Sequence, residues 1–294
     1  MRLSTTISRI LLFFFVSLFA ISSLLPGGMG SVPMAFAQSQ VVPNFWHPSE
    51  RIAKPDLSNV QRLRFLTTTD FPPFNFIDRN KRLTGFHVDL ARAICSELDI
   101  MPKCQIQALP WDELQKAMED GEGEAIIAGL QATSDNREKY EFSRPYLHIP
   151  ARFVARTADG LGEPMTLAAV RNRTGLVRGS VHADWFRTAY PNAQTITYET
   201  RAQALDALQR ERVDLVFSDA LSLSFWLVSE ASKDCCSFAG GPYIGEALTG
   251  PGLMIAFAGG RTELAAAADY ALKQINEKGV FAELYLRYFP LGLY

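Results

Sequence analysis

The stretch that decides the fold is residues 110–146, PWDELQKAMEDGEGEAIIAGLQATSDNREKYEFSRPY. Its centre, Ala125-Ile126-Ile127-Ala128, is a short apolar run bounded by glycine. A strand buried on both faces of a parallel sheet reads this way. Upstream, residues 111–119 carry the amphipathic pattern of a helix, closed by a charged turn at 120–124. Downstream, Thr133, Ser134 and Asp135 are residues that start helices, and Arg137 follows them. In open α/β sheets small ligands sit beyond the carboxyl ends of the strands. An arginine there can grip a carboxylate through two parallel N–H bonds. The stretch thus implies an α/β protein with a site for a small carboxylate-bearing solute.

A second copy of the pattern lies further on. Ala207-Leu208 precede a charged turn and Asp214-Leu215-Val216-Phe217-Ser218-Asp219, as Ala117-Met118 precede 124–129, and the overlay places Asp219 against Gly129. The second helix opens with a capping box, Thr200-x-x-Gln203. Two such units, each ending a buried strand at a polar position, predict two lobes with a cleft between them.

The chain has 294 residues, 48% of them hydrophobic, and a net charge of -2. That suffices for one or two cores, and the near-neutral charge gives no reason to expect nucleic acid. At the N-terminus, Arg2 and Arg9 flank the start of an apolar run at 10–25, and small residues lead to Ala35-Phe36-Ala37. This is the form of a secretory signal peptide cut after Ala37, with an uncleaved anchor as the alternative. Residues 38–61, with Pro43, Pro48 and Pro55, read as an extended arm before the globular part. In an oxidising compartment Cys95 and Cys104, flanking a helix end and a short turn, are candidates for a disulfide. Cys235 and Cys236 are adjacent, which leaves free thiols or other pairings open. His47, His87, His148 and His182 stand far apart, so no metal site is expected, and nothing calls for a cofactor.

Taken in order, Phe71-Pro72-Pro73-Phe74, Gly85-Phe86-x-Val88-Asp89-Leu90-Ala91, Pro110-Trp111-Asp112, the 125–129 strand, Thr133, Arg137, Phe142-Ser143-x-Pro145-Tyr146, Gly179-Ser180, Asp219 and Phe281-Ala282-Glu283-Leu284-Tyr285 resemble the family 3 extracellular solute-binding proteins, amino-acid receptors of ABC importers. The resemblance runs from about residue 62 to 294. It implies the type II periplasmic-binding-protein fold, with lobe 1 at 62–153 and 253–294 and lobe 2 at 154–252, hinged over the ligand. It also implies a monomer in the periplasm, working with an inner-membrane ABC permease and not an enzyme.

Carried onto this chain, the resemblance makes Arg137 the clamp on an α-carboxylate and Asp219 the acceptor for an α-ammonium. Ser180 and Val181, at a helix start, would add anion contacts. Phe71 and Trp111 would flank the ligand, and Gln131 and Ala132 would offer backbone donors. Each residue also has a plainer role: a surface ion pair with Asp135 or Glu138 for Arg137, helix capping for Asp219 and Ser180, core packing for the aromatics. The chain departs from the family pattern as well. Many members have an acid where His87 stands, and the 129–137 loop is one residue longer than is common. The acidic contact of Lys/Arg/His binders is Thr68 here, with Asp70 displaced by two, so a basic ligand is not supported. Other readings are a dehydratase-like enzyme on this fold, drawing its acid or base from His87, His182 or Asp70, and a sensory or accessory solute-binding protein.

Overall fold

The computed structural model describes residues 40–161 and 172–294, and the signal-peptide reading lies outside them. Two five-stranded sheets carry the architecture. The first orders its strands β5-β1-β6-β13-β7, with β1 Leu63–Thr67, β5 Cys104–Ala108, β6 Ala125–Ile126, β7 Tyr140–Phe142 and β13 Ala256–Ala258. The second runs β10-β9-β11-β8-β12, with β8 Ala151–Arg156, β9 Thr174–Val177, β10 Thr195–Tyr198, β11 Leu215–Asp219 and β12 Cys236–Phe238. Both follow one plan. Three parallel strands (β5, β1, β6 or β10, β9, β11) meet an antiparallel fourth, β13 or β8, and a fifth antiparallel to that. The internal echo in the sequence maps onto this plan, since β6 and β11 fill the same slot.

Parallel strands are buried on both faces, which accounts for the apolar runs. Only Ala125–Ile126 of the expected 125–128 run keeps strand pairing, because the chain bends at Gly129, whose φ of 85° lies in the left-handed region. Helix α1 (Phe86–Glu97) buries Val88, Ala91 and Ile94 with Leu98 just beyond its end, the face that the 3.6-residue period predicts. Against it pack α8 (Thr262–Glu277) and α9 (Val280–Tyr288), whose Ala267, Ala271, Leu272, Phe281 and Tyr285 complete the larger core. Each large apolar side chain so enclosed contributes roughly 1.5–3 kcal/mol. A small antiparallel sheet joins β2 Asp70–Phe71, β3 Asn75–Ile77 and β4 Leu83–Thr84.

The segment before β1 is extended, as expected, but it belongs to the core. Trp46, Leu57 and Val60 are buried in the same cluster as Phe65 and Phe289. The Arg144 guanidinium lies 4.3 Å from the Trp46 ring centroid and pairs with Glu50 at 2.5 Å. Cys95 and Cys104 form a disulfide, and the adjacent Cys235 and Cys236 are bonded to each other. No helix among the described residues is long and apolar enough to cross a membrane.

Candidate ligand-binding site

The chain passes between the sheets twice, and the passages lie side by side. Leu147 bridges Leu253 and Ala151 bridges Tyr243, both antiparallel. Asp219, the last residue of β11, pairs with Ala151, and the Ala220 amide donates to the Pro150 carbonyl at 2.8 Å. Ala220 is buried in the first sheet's core cluster beside Tyr146, Leu147 and Leu253. The carboxyl end of β11 therefore abuts the passages.

On the first sheet, three adjacent parallel strands end in the segments bearing Trp111 (after β5), Thr68 to Phe71 (after β1) and Gly129 to Arg137 (after β6). Phe71 is half-buried, stacks on Phe74 at 4.7 Å, and covers Gly129 so closely that a Cβ there would lie 3.3 Å from its ring. Phe74 is fully buried. Trp111 is 49% exposed in a short 3-10 turn. Thr133 caps α3 (Ser134–Lys139), its Oγ1 accepting from the Asn136 amide at 3.2 Å.

Arg137 is exposed and forms no ion pair with Asp135 or Glu138 among the described residues. Instead it folds back: Nε donates to the Ala132 carbonyl at 3.2 Å, and Nη2 approaches Met254 Sδ at 4.0 Å. The Gln131 carbonyl accepts from Asn136 Nδ2 at 2.7 Å. No hydrogen bond among the described residues engages the amides of Gln131 and Ala132. An unpaired guanidinium beside two unengaged N–H groups is suited to a carboxylate.

Beneath this half lies a buried polar chain that sequence reasoning did not anticipate. Asn75 Nδ2 donates to Thr68 Oγ1 at 2.6 Å, Asn75 Oδ1 is 2.8 Å from His87 Nδ1, and His87 Nε2 is 2.8 Å from the Tyr146 hydroxyl. With the amide nitrogen committed to Thr68, Oδ1 must accept, so Nδ1 carries the proton and the Tyr146 hydroxyl donates to Nε2. Burial holds the His87 pKa down at about 3.

On the second sheet, Ser180, Arg201 and Asp219 lie at the ends of the adjacent parallel strands β9, β10 and β11. Helix α4 (Val181–Ala189) begins directly after Ser180, which caps it. Ser180 Oγ donates to the Val177 carbonyl at 2.8 Å and accepts from the Ala183 amide at 3.1 Å. Its proton is thereby committed, and the anion-binding potential passes to the Val181 and His182 amides, which lack intrahelical partners. Val181 is 49% exposed. His182 is half-buried; burial lowers its pKa, with Asp219 pulling upward and Arg201 downward.

Asp219 caps α6 (Ala220–Leu227), Oδ1 accepting from the Ser222 amide at 2.7 Å. Its Oδ2 accepts from Arg201 Nη2 at 2.6 Å and from Ser218 Oγ at 3.3 Å. Arg201 was missed at the level of sequence. Its signal was the capping box, which puts it in the first turn of α5 (Arg201–Gln209), directly after a parallel strand.

A family model, Bacterial extracellular solute-binding proteins, family 3, matches residues 63–291. The chain is 29% identical to the putative ABC transporter arginine-binding protein 2 of Escherichia coli (strain K12), covering 78% of this chain and 91% of that one. It is 27% identical to the L-arginine-binding protein of Pseudomonas aeruginosa, covering 76% and 86%. Among solved structures, the L-cystine solute receptor of Neisseria gonorrhoeae superposes with a TM-score of 0.67 at 18% identity, covering 79% of this chain and 94% of the receptor. An ancestral cyclohexadienyl dehydratase gives 0.65 at 20%, covering 82% and 99%. The two-sheet plan and a family match spanning most of the chain lead to one conclusion: this protein belongs to the bacterial extracellular solute-binding proteins of family 3.

Proposed function

We propose that the protein, exported to the periplasm by a cleaved signal peptide, captures a small amino acid or related carboxylate by closing its two lobes and delivers it, as a monomer, to an ABC importer. One observation carries this reading. Two half-sites stand at the carboxyl ends of parallel strands beside the passages, with an unpaired Arg137 on one sheet and Asp219 on the other. A carboxylate held by Arg137 and the amides of Gln131 and Ala132 would complete its coordination at the Val181 and His182 amides, at the helix end that Ser180 caps, once the halves meet. Phe71 and Trp111 would shield it from water. Closure is then driven by contacts that exist in the closed state alone.

The enzyme alternative needs an acid or base that can reach a substrate. His87 has no exposed surface and both ring nitrogens engaged, which leaves His182 and Asp70 to carry it.

Thermal-shift screening of the mature chain with the common amino acids tests the proposal. A ligand at one hundred times its dissociation constant adds about 2.7 kcal/mol of stability. Arg137→Ala should abolish that shift while leaving the unliganded midpoint in place. An Arg137→Ala protein that responds like the parent sinks the clamp assignment.

A further inference from the structure

Within that reading of the site, we propose that Arg201 sets the specificity of the second half-site, and that the solute carries a second carboxylate rather than a basic or neutral side chain. The inference deepens the proposed function and rests on it. A simple zwitterion needs a carboxylate free to take its ammonium. Here the Asp219 carboxylate already accepts three hydrogen bonds, from the Ser222 amide at Oδ1 and from Arg201 and Ser218 at Oδ2, and its charge is paired with Arg201, which leaves about one acceptor position on Oδ1. Arg201 has the opposite character. Nε donates to Ser218 Oγ at 3.1 Å and Nη2 to Asp219, while Nη1 has no partner among the described residues and the side chain is 38% exposed. A guanidinium held by two bonds along one edge, with its remaining N–H groups free, is an oriented carboxylate receptor.

The first half-site offers nothing to offset this. Thr68, at the end of β1, is neutral and bound by Asn75. Asp70 neighbours Phe71 on a strand, so its side chain points to the face opposite the one that covers Gly129. Arg137 brings a cation whose hydrogen bonds among the described residues go to a carbonyl and a thioether, not to a carboxylate. Of the strand-end guanidinium groups, Arg178 pairs with Glu199 at 2.7 Å and Arg201 with Asp219 at 2.6 Å, which leaves Arg137 without a carboxylate among the described residues. A basic ligand would add a further cation beside Arg201; a dicarboxylate would offer one carboxylate to Arg137 and the other to the open edge of Arg201.

Isothermal titration of the mature chain with L-glutamate, glutarate, L-glutamine and L-arginine tests this. At least one of the two dicarboxylates should bind ten-fold or more tightly than glutamine and arginine. The difference between glutamate and glutarate reads whether Asp219 also serves an ammonium. Arg201→Gln should weaken the dicarboxylate at least ten-fold and leave glutamine within about three-fold; Arg201→Lys, which keeps the charge and loses the fork, should fall between. Tighter binding of arginine or glutamine, itself abolished by Arg137→Ala, overturns this inference and leaves the proposed function standing. An undiminished dicarboxylate affinity in both Arg201 variants overturns the role of Arg201. Binding of no amino acid or dicarboxylate at all overturns both.

Discussion

His87 Nδ1 lies 2.8 Å from Asn75 Oδ1 inside the first core, and this contact sets the tautomer of a ring that burial keeps neutral. The folded chain holds the ring neutral down to about pH 3, whereas unfolded histidine titrates near 6.5. Between those values the unfolded chain binds a proton that the folded one refuses, so this contribution to stability is full above pH 6.5 and shrinks as pH falls. Burial raises Asp269 to about 6 and makes it act oppositely, with stability gained as pH falls from 6 toward 3.8. The parent's own profile mixes the two. The difference between the parent and His87→Gln isolates the ring: the parent's advantage in chemical denaturation should shrink by about 2 kcal/mol between pH 7 and 4.5. A constant difference would refute the neutral-ring assignment.

Gly85 opens α1 with φ of 130°, and a Cβ there would sit 2.2 Å from the Phe74 carbonyl oxygen. That atom is backbone and accepts from the His87 amide at 2.8 Å, so it has little room to yield. Gly85→Ala should cost more than about 4 kcal/mol and yield little folded protein. Gly121→Ala, also at positive φ but with nothing within 4 Å, should cost about 1 kcal/mol. Equal effects of the two, compared by circular dichroism melting, would rule out the steric explanation.

Asp219→Ala removes a helix cap and the acidic partner of Arg201 together. The unliganded protein should lose about 1–2 kcal/mol in urea titration. Asp219→Asn, whose side chain can still cap, should lose less than half of that. An equal loss for Asn and Ala would mean that the carboxylate's charge, not its capping, holds α6.

The Cys95–Cys104 bridge closes a loop with a sequence separation of 9, and Cys95 is fully buried. Loop-closure entropy puts its contribution at about 2–3 kcal/mol. The double variant Cys95→Ala/Cys104→Ala should fold and unfold at a correspondingly lower denaturant midpoint. An unchanged midpoint would show that the pairing restrains nothing in the unfolded chain.

Local chemistry alone determined a great deal in this chain. The 3.6-residue face of α1, the apolar runs of β6 and β11, the capping box at Thr200 and the core position of Phe74 follow from period, polarity and hydrogen-bonding habit, which act over a few residues. So does the ordered set of motifs that marks the family. What lay beyond the sequence depends on partners far along the chain. Trp46 is core rather than arm because Arg144 and Phe289 come to it. His87 is neutral because the fold buries it completely, and Asn75 and Tyr146 fix its tautomer. Arg201 joins Asp219, eighteen residues further on, because the parallel strands β10 and β11 end on the same side of one sheet. Periodicity reports which face of an element is buried. Which charge meets which is decided only when parallel strands bring their carboxyl ends together.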